Sequence, residues 1–552
     1  MAAGSPAIDG AVPGGDYDAI VIGSGHNGLA AALYLARAGW KTLVLERNPE
    51  LGGATRSGEV TEPGFVHDLY SMNQNLFMSS PVYSEFRAGL ERHGLAFAHS
   101  AKPVCSVFPD GRFLGVYQNA GKSLEALRRH NAADAEGWTL LHRHFESFIR
   151  SLISIYGTPL PSMQALWTLL RAMRREGVAE CMQLARLMLS STRALGDEYF
   201  ATPEARSLFA VWGMHLDFGP DVAGGAIFPV LETFSEVQFG INIVRGGASR
   251  LPMAMAGLLR EFGGEVRTRA EVRKIVTRGG RAAAVELANG ETIAARRAIV
   301  ANLTVGPLFG RLLADYPLAP GFRRAVEKFS YGPGTMMIHL ALKGRPAWTA
   351  SPEASEFAYV HIAPYIEDLA ITYAHSIDGI LPASPLLIVG QTSVVDPTRT
   401  GGKGETLWIQ VRTLPARIRG DALGQIAARD WDAAREPYAD RVIDKLEQYA
   451  PGLRSLIIRR TVESPADLER ANPNLVGGDS VAGSHHLAQN FMFRPIPGWS
   501  RYRMPIEGLY MCGAGTYPGG GNNALSGYLC AREILNGRRA RSLFGRRAGA
   551  SA

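Results

Sequence analysis

The chain has 552 residues, 46% of them hydrophobic and 20% charged, which is ordinary globular composition with material for about two to four domains. No apolar run reaches the ~18 residues of a membrane-crossing helix. Cys105, Cys181, Cys512 and Cys530 lie far apart without CxxC or Cys/His spacing, so neither a disulfide framework nor a metal site is expected.

Residues 1–15 read as a flexible lead-in. They lack the basic and apolar regions of a secretory signal, and they carry no arginine of the kind a mitochondrial presequence uses. A cytoplasmic location is the default expectation. The net charge of +7 sits mostly in residues 538–552, RRARSLFGRRAGASA, with five arginines and no acid. Such a basic tail attracts anionic lipid or is simply a solvated end. No nucleic-acid module accompanies it, so no nucleic-acid partner is expected.

The body opens on DYDAIVIGSGHNGLAAALYLARAGWKTLVLERNPELGGATR, residues 16–56. An apolar strand ends at Gly23, Gly25 and Gly28 follow, an Ala/Leu-rich helix runs to about Ala38, and a second strand ends in Glu46. This is a Rossmann-type βαβ unit for a dinucleotide. Gly23 makes the turn, Gly25 leaves room for the pyrophosphate and Gly28 lets helix and sheet approach. The helix N-terminus favours phosphate. Glu46 is placed to accept from ribose hydroxyls, and its charge disfavours a 2′-phosphate, which leaves FAD or NAD. The second glycine pair, Gly52-Gly53, with Ala54 and Arg56 behind it, points to FAD. Such a loop passes close to the pyrophosphate, and Arg56 adds positive charge. His26 is read as a loop residue near the phosphates.

Residues 57–120 mix short strands and turns. Helical spacing then runs from Ser123 to Tyr156 and from Pro161 to Leu195, with Met163, Leu166, Trp167 and Leu170 on one face and Arg171, Arg174 and Arg175 behind it. Three readings stay open for that face: a core-facing helix pair, the wall of a substrate tunnel, or a lip at a membrane surface. His215 and Asp217 are candidates to line the substrate region or to form a buried structural pair. From Val244 the pattern returns to helix, strand and hairpin, ending in Ala298–Asn302, which extends the first sheet and adds an antiparallel flap. Residues 311–490 read as a second mixed α/β region, with strands at Thr335–Leu342, Leu386–Val389 and Leu407–Val411 and one or two helices over Asp421–Tyr449. Near the C-terminus, GLYMCGAGTYPGGGNNALS is a strand, a glycine-rich turn and a helix start. Gly515, Asn522 and Asn523 are placed at the flavin.

The expected fold class is therefore α/β. A discontinuous cofactor domain (16–100, 240–310 and 500–537) combines with a substrate domain (101–239 and 311–499) that carries a helical region at 123–196.

GSGHNGLAAALYLARAGWKTLVLERNPELGGATRS, VRGGASRLPMAMAGLL and RPIPGWSRYRMPIEGLYMCGAGTYPGGG resemble the phytoene dehydrogenase-related flavoproteins, nearest to the group that contains pyridine nucleotide-disulphide oxidoreductase domain-containing protein 2. The resemblance covers about residues 16–536. It implies an amine-oxidase/phytoene-desaturase-like two-domain fold, non-covalent FAD and redox chemistry on a hydrophobic small molecule. By motif it assigns FAD contacts to Gly23, Gly25, Gly28, Glu46, Arg47, Gly53, Ala54, Arg56, Val272 and Gly515. Tyr517 stands where the family usually has His, and NNALSGYLCAREIL departs from the usual run, so substrate and reaction are open.

No second GxGxxG has strand–helix context. The electron acceptor is therefore expected to be oxygen, a quinone or another carrier, or the flavin stays reduced for isomerisation. Tyr517, His486 and Gln489, with His485 beside them, are the candidate acid/base groups. A flavin amine oxidase, with Phe491, Phe493, Trp499 and Tyr502 as an aromatic cage, is one alternative. A flavin-retaining interaction protein is another.

Overall fold

The computed structural model describes residues 16–537; the N-terminal lead-in (1–15) and the basic tail (538–552) lie outside the described residues. Two sheets organise the chain. The first has a parallel core in the order Glu265–Arg267, Thr42–Leu45, Tyr17–Ile22, Thr292–Ala301, Leu509–Met511. All four residues of Thr42–Leu45 are buried, and only Asp18 of Tyr17–Ile22 is not fully so. That fits strands covered on both faces. The expected flap is present: Val272–Arg278 and Arg281–Leu287 pair antiparallel, and the latter pairs with the start of Thr292–Ala301.

The helix His26–Arg37 is buried along almost its whole length. It packs against the helices Arg250–Glu261 and Leu525–Leu535. A Cβ at Gly527 would lie 1.9 Å from the Asn27 carbonyl oxygen, so only glycine permits this crossing. The first and last helices of the cofactor region thus touch backbone to backbone.

The second sheet has seven strands, in the order Ile457–Glu463, Gly334–Leu342, Glu405–Leu414, Leu386–Gly390, Tyr359–Ile362, Val104–Val107, Phe113–Val116. It is antiparallel except where Tyr359–Ile362 meets Val104–Val107. In Glu405–Leu414, Leu407, Ile409 and Val411 face a core under the helix Trp431–Tyr449. Trp408, Gln410 and Arg412 face the other way, into a cavity. The helices Pro203–Met214 and Ile227–Phe239 belong to the core on that second face. Asp421 is not helical as expected; it lies in a short strand pair and is gripped by Arg441 at 2.6 and 2.8 Å.

A fully buried ion cluster joins the segments around Asp68, Val244 and Asp396. Arg399 grips both carboxylate oxygens of Asp68 at 3.0 Å each, Asp396 Oδ2 at 2.9 Å and the Val244 carbonyl at 2.8 Å. The two acids in turn accept from the N–H groups of Ala248 and Gly246. All four cysteines are free, with Cys105, Cys512 and Cys530 buried.

Candidate active site

The glycine fingerprint lies where the first strand ends. Gly23 N–H donates to Leu45 O at 2.8 Å, the last bond of the parallel ladder, and the chain turns there with a φ of 94° that favours glycine. A Cβ at Gly28 would lie 2.2 Å from Gly23 O, so Gly28 serves close packing, as expected. No side chain caps the following helix and its first turn holds no acid, so its free N–H groups and positive end remain for an anion.

One side chain joins the distant pieces of this site. Asn302, at the end of Thr292–Ala301, donates from its N–H to Ile22 O at 2.9 Å and from Nδ2 to Gly23 O at 3.3 Å. A Cβ at Gly25 or Gly28 would come within 2.9 Å of its Nδ2, and one at Gly513 within 2.5 Å of its Oδ1. Three glycines from two ends of the chain therefore close around one asparagine.

Glu46 is buried at the cavity wall. Its Oε2 accepts from Ser24 N–H (3.0 Å) and the Ser24 hydroxyl (2.6 Å), and its Oε1 from Asn48 N–H (2.9 Å). Oε1 retains acceptor capacity. The cavity, about 300 Å³, runs from these residues to the second sheet. Gly23, Gly25, Glu46, Arg47, Gly53, Ala54, Val272 and Asn522 all line it. An uncapped helix start, a cradle without Cβ atoms and an anchored carboxylate form a donor and acceptor set that fits FAD.

Four expected contacts sit elsewhere. Gly28 is behind the wall. Arg56 is turned away and pairs with Glu50 at 2.8 Å. Gly515 packs on Thr304 and Met511. Asn523 accepts from Leu525 N–H at 2.9 Å, holding the start of the last helix. In their place Gly513, Ala514, Gly520, Gly521 and Asn302 line the cavity.

The expected acid/base groups do not line the cavity. Tyr517 is buried, and its hydroxyl donates to Ile155 O at 2.8 Å, so it is corrected from candidate catalyst to structural tether. Gln489 is corrected likewise: it bonds Ser330 N–H and O and the Ser484 carbonyl. His486 Nε2 lies 2.7 Å from Asp217 O and 3.4 Å from its carboxylate, on a half-exposed surface outside the cavity. His485 is the member of the pair that reaches the glycine turn. Its Nε2 accepts from Gly520 N–H at 2.9 Å, and burial holds the ring well below the usual histidine range, in the neutral form such an acceptor requires. His215 lines the cavity, whereas Asp217 does not. The aromatics near 491–502 form no cage: Phe493 is exposed, Trp499 packs on Phe322, and the Tyr502 hydroxyl donates to Tyr517 O at 2.9 Å. Tyr517→Phe is expected to leave flavin reduction unchanged and to cost about 0.5–1.5 kcal/mol of stability. Stopped-flow reduction and a thermal melt check both halves.

The far end of the cavity carries groups the sequence did not single out. Trp212, Phe228, Tyr359 and Trp408 supply aromatic walls, and Glu232, His215 and Arg412 supply polar ones. Arg412 is anchored by Gln410 (2.8 Å), His215 O (2.9 Å) and Ser480 (2.8 Å), and burial lowers it to about 10, so it stays charged at neutral pH. Burial raises Glu232 to about 7 against a weaker opposing hydrogen bond from Asn73. Glu236, one turn on, is fully buried with both oxygens unpartnered, and burial, then the neighbouring Glu232 charge, pushes it well up. The alternation in LWIQVR was a legible signal for the strand's cavity face; nothing local marked the two glutamates.

Glu232 makes a signed prediction. Its folded pKa lies above the ordinary carboxylate value, so the unfolded chain ionises first as pH rises. Stability contributed below that ordinary value is lost as pH climbs through about 7. Glu232→Gln is expected to flatten the fall in thermal midpoint between about pH 5 and about pH 8. A slope identical to that of the parent would refute the assignment.

Taken as a whole, a dinucleotide cradle opening onto a chamber under a second sheet is the arrangement of an FAD-dependent oxidoreductase. A profile of flavin containing amine oxidoreductases matches residues 28–377, and the chain belongs to that family. It is 27% identical to pyridine nucleotide-disulfide oxidoreductase domain-containing protein 2 of Rattus norvegicus, over 94% of this chain and 93% of that one. It is 26% identical to the neurosporene-forming phytoene desaturase of Cereibacter sphaeroides, over 95% of each. The fold is that of an oxidoreductase from Methanosarcina mazei, with a TM-score of 0.58 at 16% identity, covering 94% of this chain and 99% of that structure. No helix among the described residues is long and apolar enough to cross a membrane.

Proposed function

We propose that this enzyme removes hydride from a C–H bond of an apolar small molecule, giving desaturation or dehydrogenation, or, where the flavin is held reduced, isomerises it without net hydride removal. The observation that carries this reading is the continuity of one cavity from the fingerprint to a chamber walled by Met72, Leu76, Trp212, Phe228, Tyr359 and Trp408. The similarity to a phytoene desaturase supports the same substrate class. FAD, when bound, supplies a two-electron acceptor at its N5. The chain supplies the rest. The aromatic walls exclude water and restrict the substrate to reactive orientations. The Leu525–Leu535 helix, whose first turn holds no acid, offers its positive end toward the site. Arg412 adds a fixed positive charge to the chamber, and Glu232 is poised to hold or give up a proton near neutral pH.

The division of labour follows the two sheets. Residues 16–100, 240–310 and 500–537 hold the cofactor, and 101–239 with 311–499 enclose the substrate. Oxygen, a quinone or another carrier reoxidises the flavin. An amine substrate loses its main support, because the aromatics at 491–502 lie off the cavity. Anaerobic mixing tests the proposal. A polyene or terpenoid should bleach the bound flavin. Bleaching by primary amines instead would transfer the enzyme to amine oxidation, and no bleaching by any substrate would leave a flavin-retaining interaction protein.

A further inference from the structure

The helix Met163–Glu176 is built inside out. Its buried residues are small, Ala165 and Ala172, while Met163, Leu166, Trp167 and Leu170 point to solvent, Trp167 with 55% of its surface exposed. The next helix, Val178–Leu189, adds Met182 (65% exposed) and Leu189 (62%). A helix packed on a core turns its large apolar stripe inward. An exposed stripe of this size marks a surface that meets something else.

Charge selects the partner. The acids of these helices are drawn against the body: Glu176 takes Arg150 at 2.7 Å, and Glu180 takes His144 at 2.8 Å. Arg186 is neutralised by Glu198. What faces outward beside the apolar stripe is Arg171 and Arg174, without ion-pair partners among the described residues, and Arg175, which lies 3.6 Å from Glu176. A second copy docked on this face across a two-fold axis would oppose arginines to arginines. An anionic lipid surface satisfies both parts of the pattern: tryptophan and aliphatic side chains enter the headgroup boundary while arginines meet lipid phosphates. The approach to this helix is also fixed to the cofactor-bearing C-terminal segment. Ser500 bonds Leu160 O at 2.7 Å, Arg501 bonds Pro161 O at 3.2 Å, and Tyr517 bonds Ile155 O.

We infer that residues 163–189 form a docking surface for an anionic lipid bilayer. This inference stands on the surface alone and does not depend on the substrate reading. The test is flotation of the flavin-loaded protein with vesicles of phosphatidylcholine alone and of phosphatidylcholine mixed with phosphatidylglycerol. The expected result is flotation with the anionic vesicles only, weakened by salt. Trp167→Ser with Leu170→Ser should abolish it. Arg171→Glu with Arg174→Glu should lower partitioning by about tenfold or more. Flavin absorbance and thermal midpoint establish that the variants are folded; should they fail to fold, the salt series on the parent decides. Absence of flotation with both vesicle types, flotation indifferent to salt and to both variants, or a dimer in size-exclusion chromatography that the variants dissociate without any vesicle binding would each overturn the inference.

Discussion

Glu46→Lys is expected to yield folded protein that purifies without flavin. The carboxylate sits at the cavity wall, already oriented by two donors from Ser24 and one from Asn48. Its Oε1 keeps acceptor capacity for ribose hydroxyls at the cavity wall. A lysine there sets a cation against the Ser24 N–H and hydroxyl, removes the acceptor and reverses the local charge. Glu46→Gln separates binding from shape: it keeps one carbonyl acceptor and loses the charge. Charge-assisted hydrogen bonds contribute about 1.5–3 kcal/mol, so the Gln variant should bind FAD roughly ten- to a hundredfold more weakly. Fluorescence titration of the apoprotein measures this, with circular dichroism as the folding control. Unchanged affinity in both variants would remove Glu46 from the ribose site.

The second large effect is on stability. Arg399→Met should cost about 3–5 kcal/mol, because the arginine is wholly buried and serves two buried acids. Methionine fills the volume but leaves Asp68 and Asp396 without their counter-charge. Those acids also hold Gly246 and Ala248, so the loss spreads to the segment that leads into the helix Arg250–Glu261. Arg399→Lys should recover only part of the stability, since an ammonium cannot make the fork that spans both Asp68 oxygens. A thermal midpoint equal to the parent's would mean that the cluster relaxes or takes up water instead.

The parts of this fold that are legible in the sequence are those coded over short distances. The strand, glycine turn, helix and strand ending in Glu46 follow from local periodicity and turn chemistry. The strands Gly334–Leu342, Leu386–Gly390 and Glu405–Leu414 follow from apolar runs of strand length. What escaped depends on contacts between remote residues. Asn302 is an ordinary strand terminus until Gly513 is seen to fold over it. Tyr517 neighbours a glycine turn at the cavity, but whether its ring points in or out depends on Ile155, 362 positions away. Arg56 follows the second glycine pair as a phosphate ligand would, yet Glu50 draws its guanidinium aside. For Met163–Glu176 the spacing revealed a stripe but not its direction, because a periodicity of 3.6 describes a helix's own asymmetry and not what surrounds it.

The strand Leu509–Met511 and the glycines that follow it close the cradle around Asn302, and they are nearly the last residues of the described chain. During synthesis the nucleotide end of the site emerges first, and the wall opposite it emerges only once the chain has passed Leu509. A nascent chain therefore has half a binding site until that segment is made. Flavin capture becomes a late event that also docks the final helix against the first. A chain that stops before residue 509 should be unable to retain the cofactor even with its entire fingerprint intact, and by linkage a shortage of flavin should appear first as a loosened C-terminus.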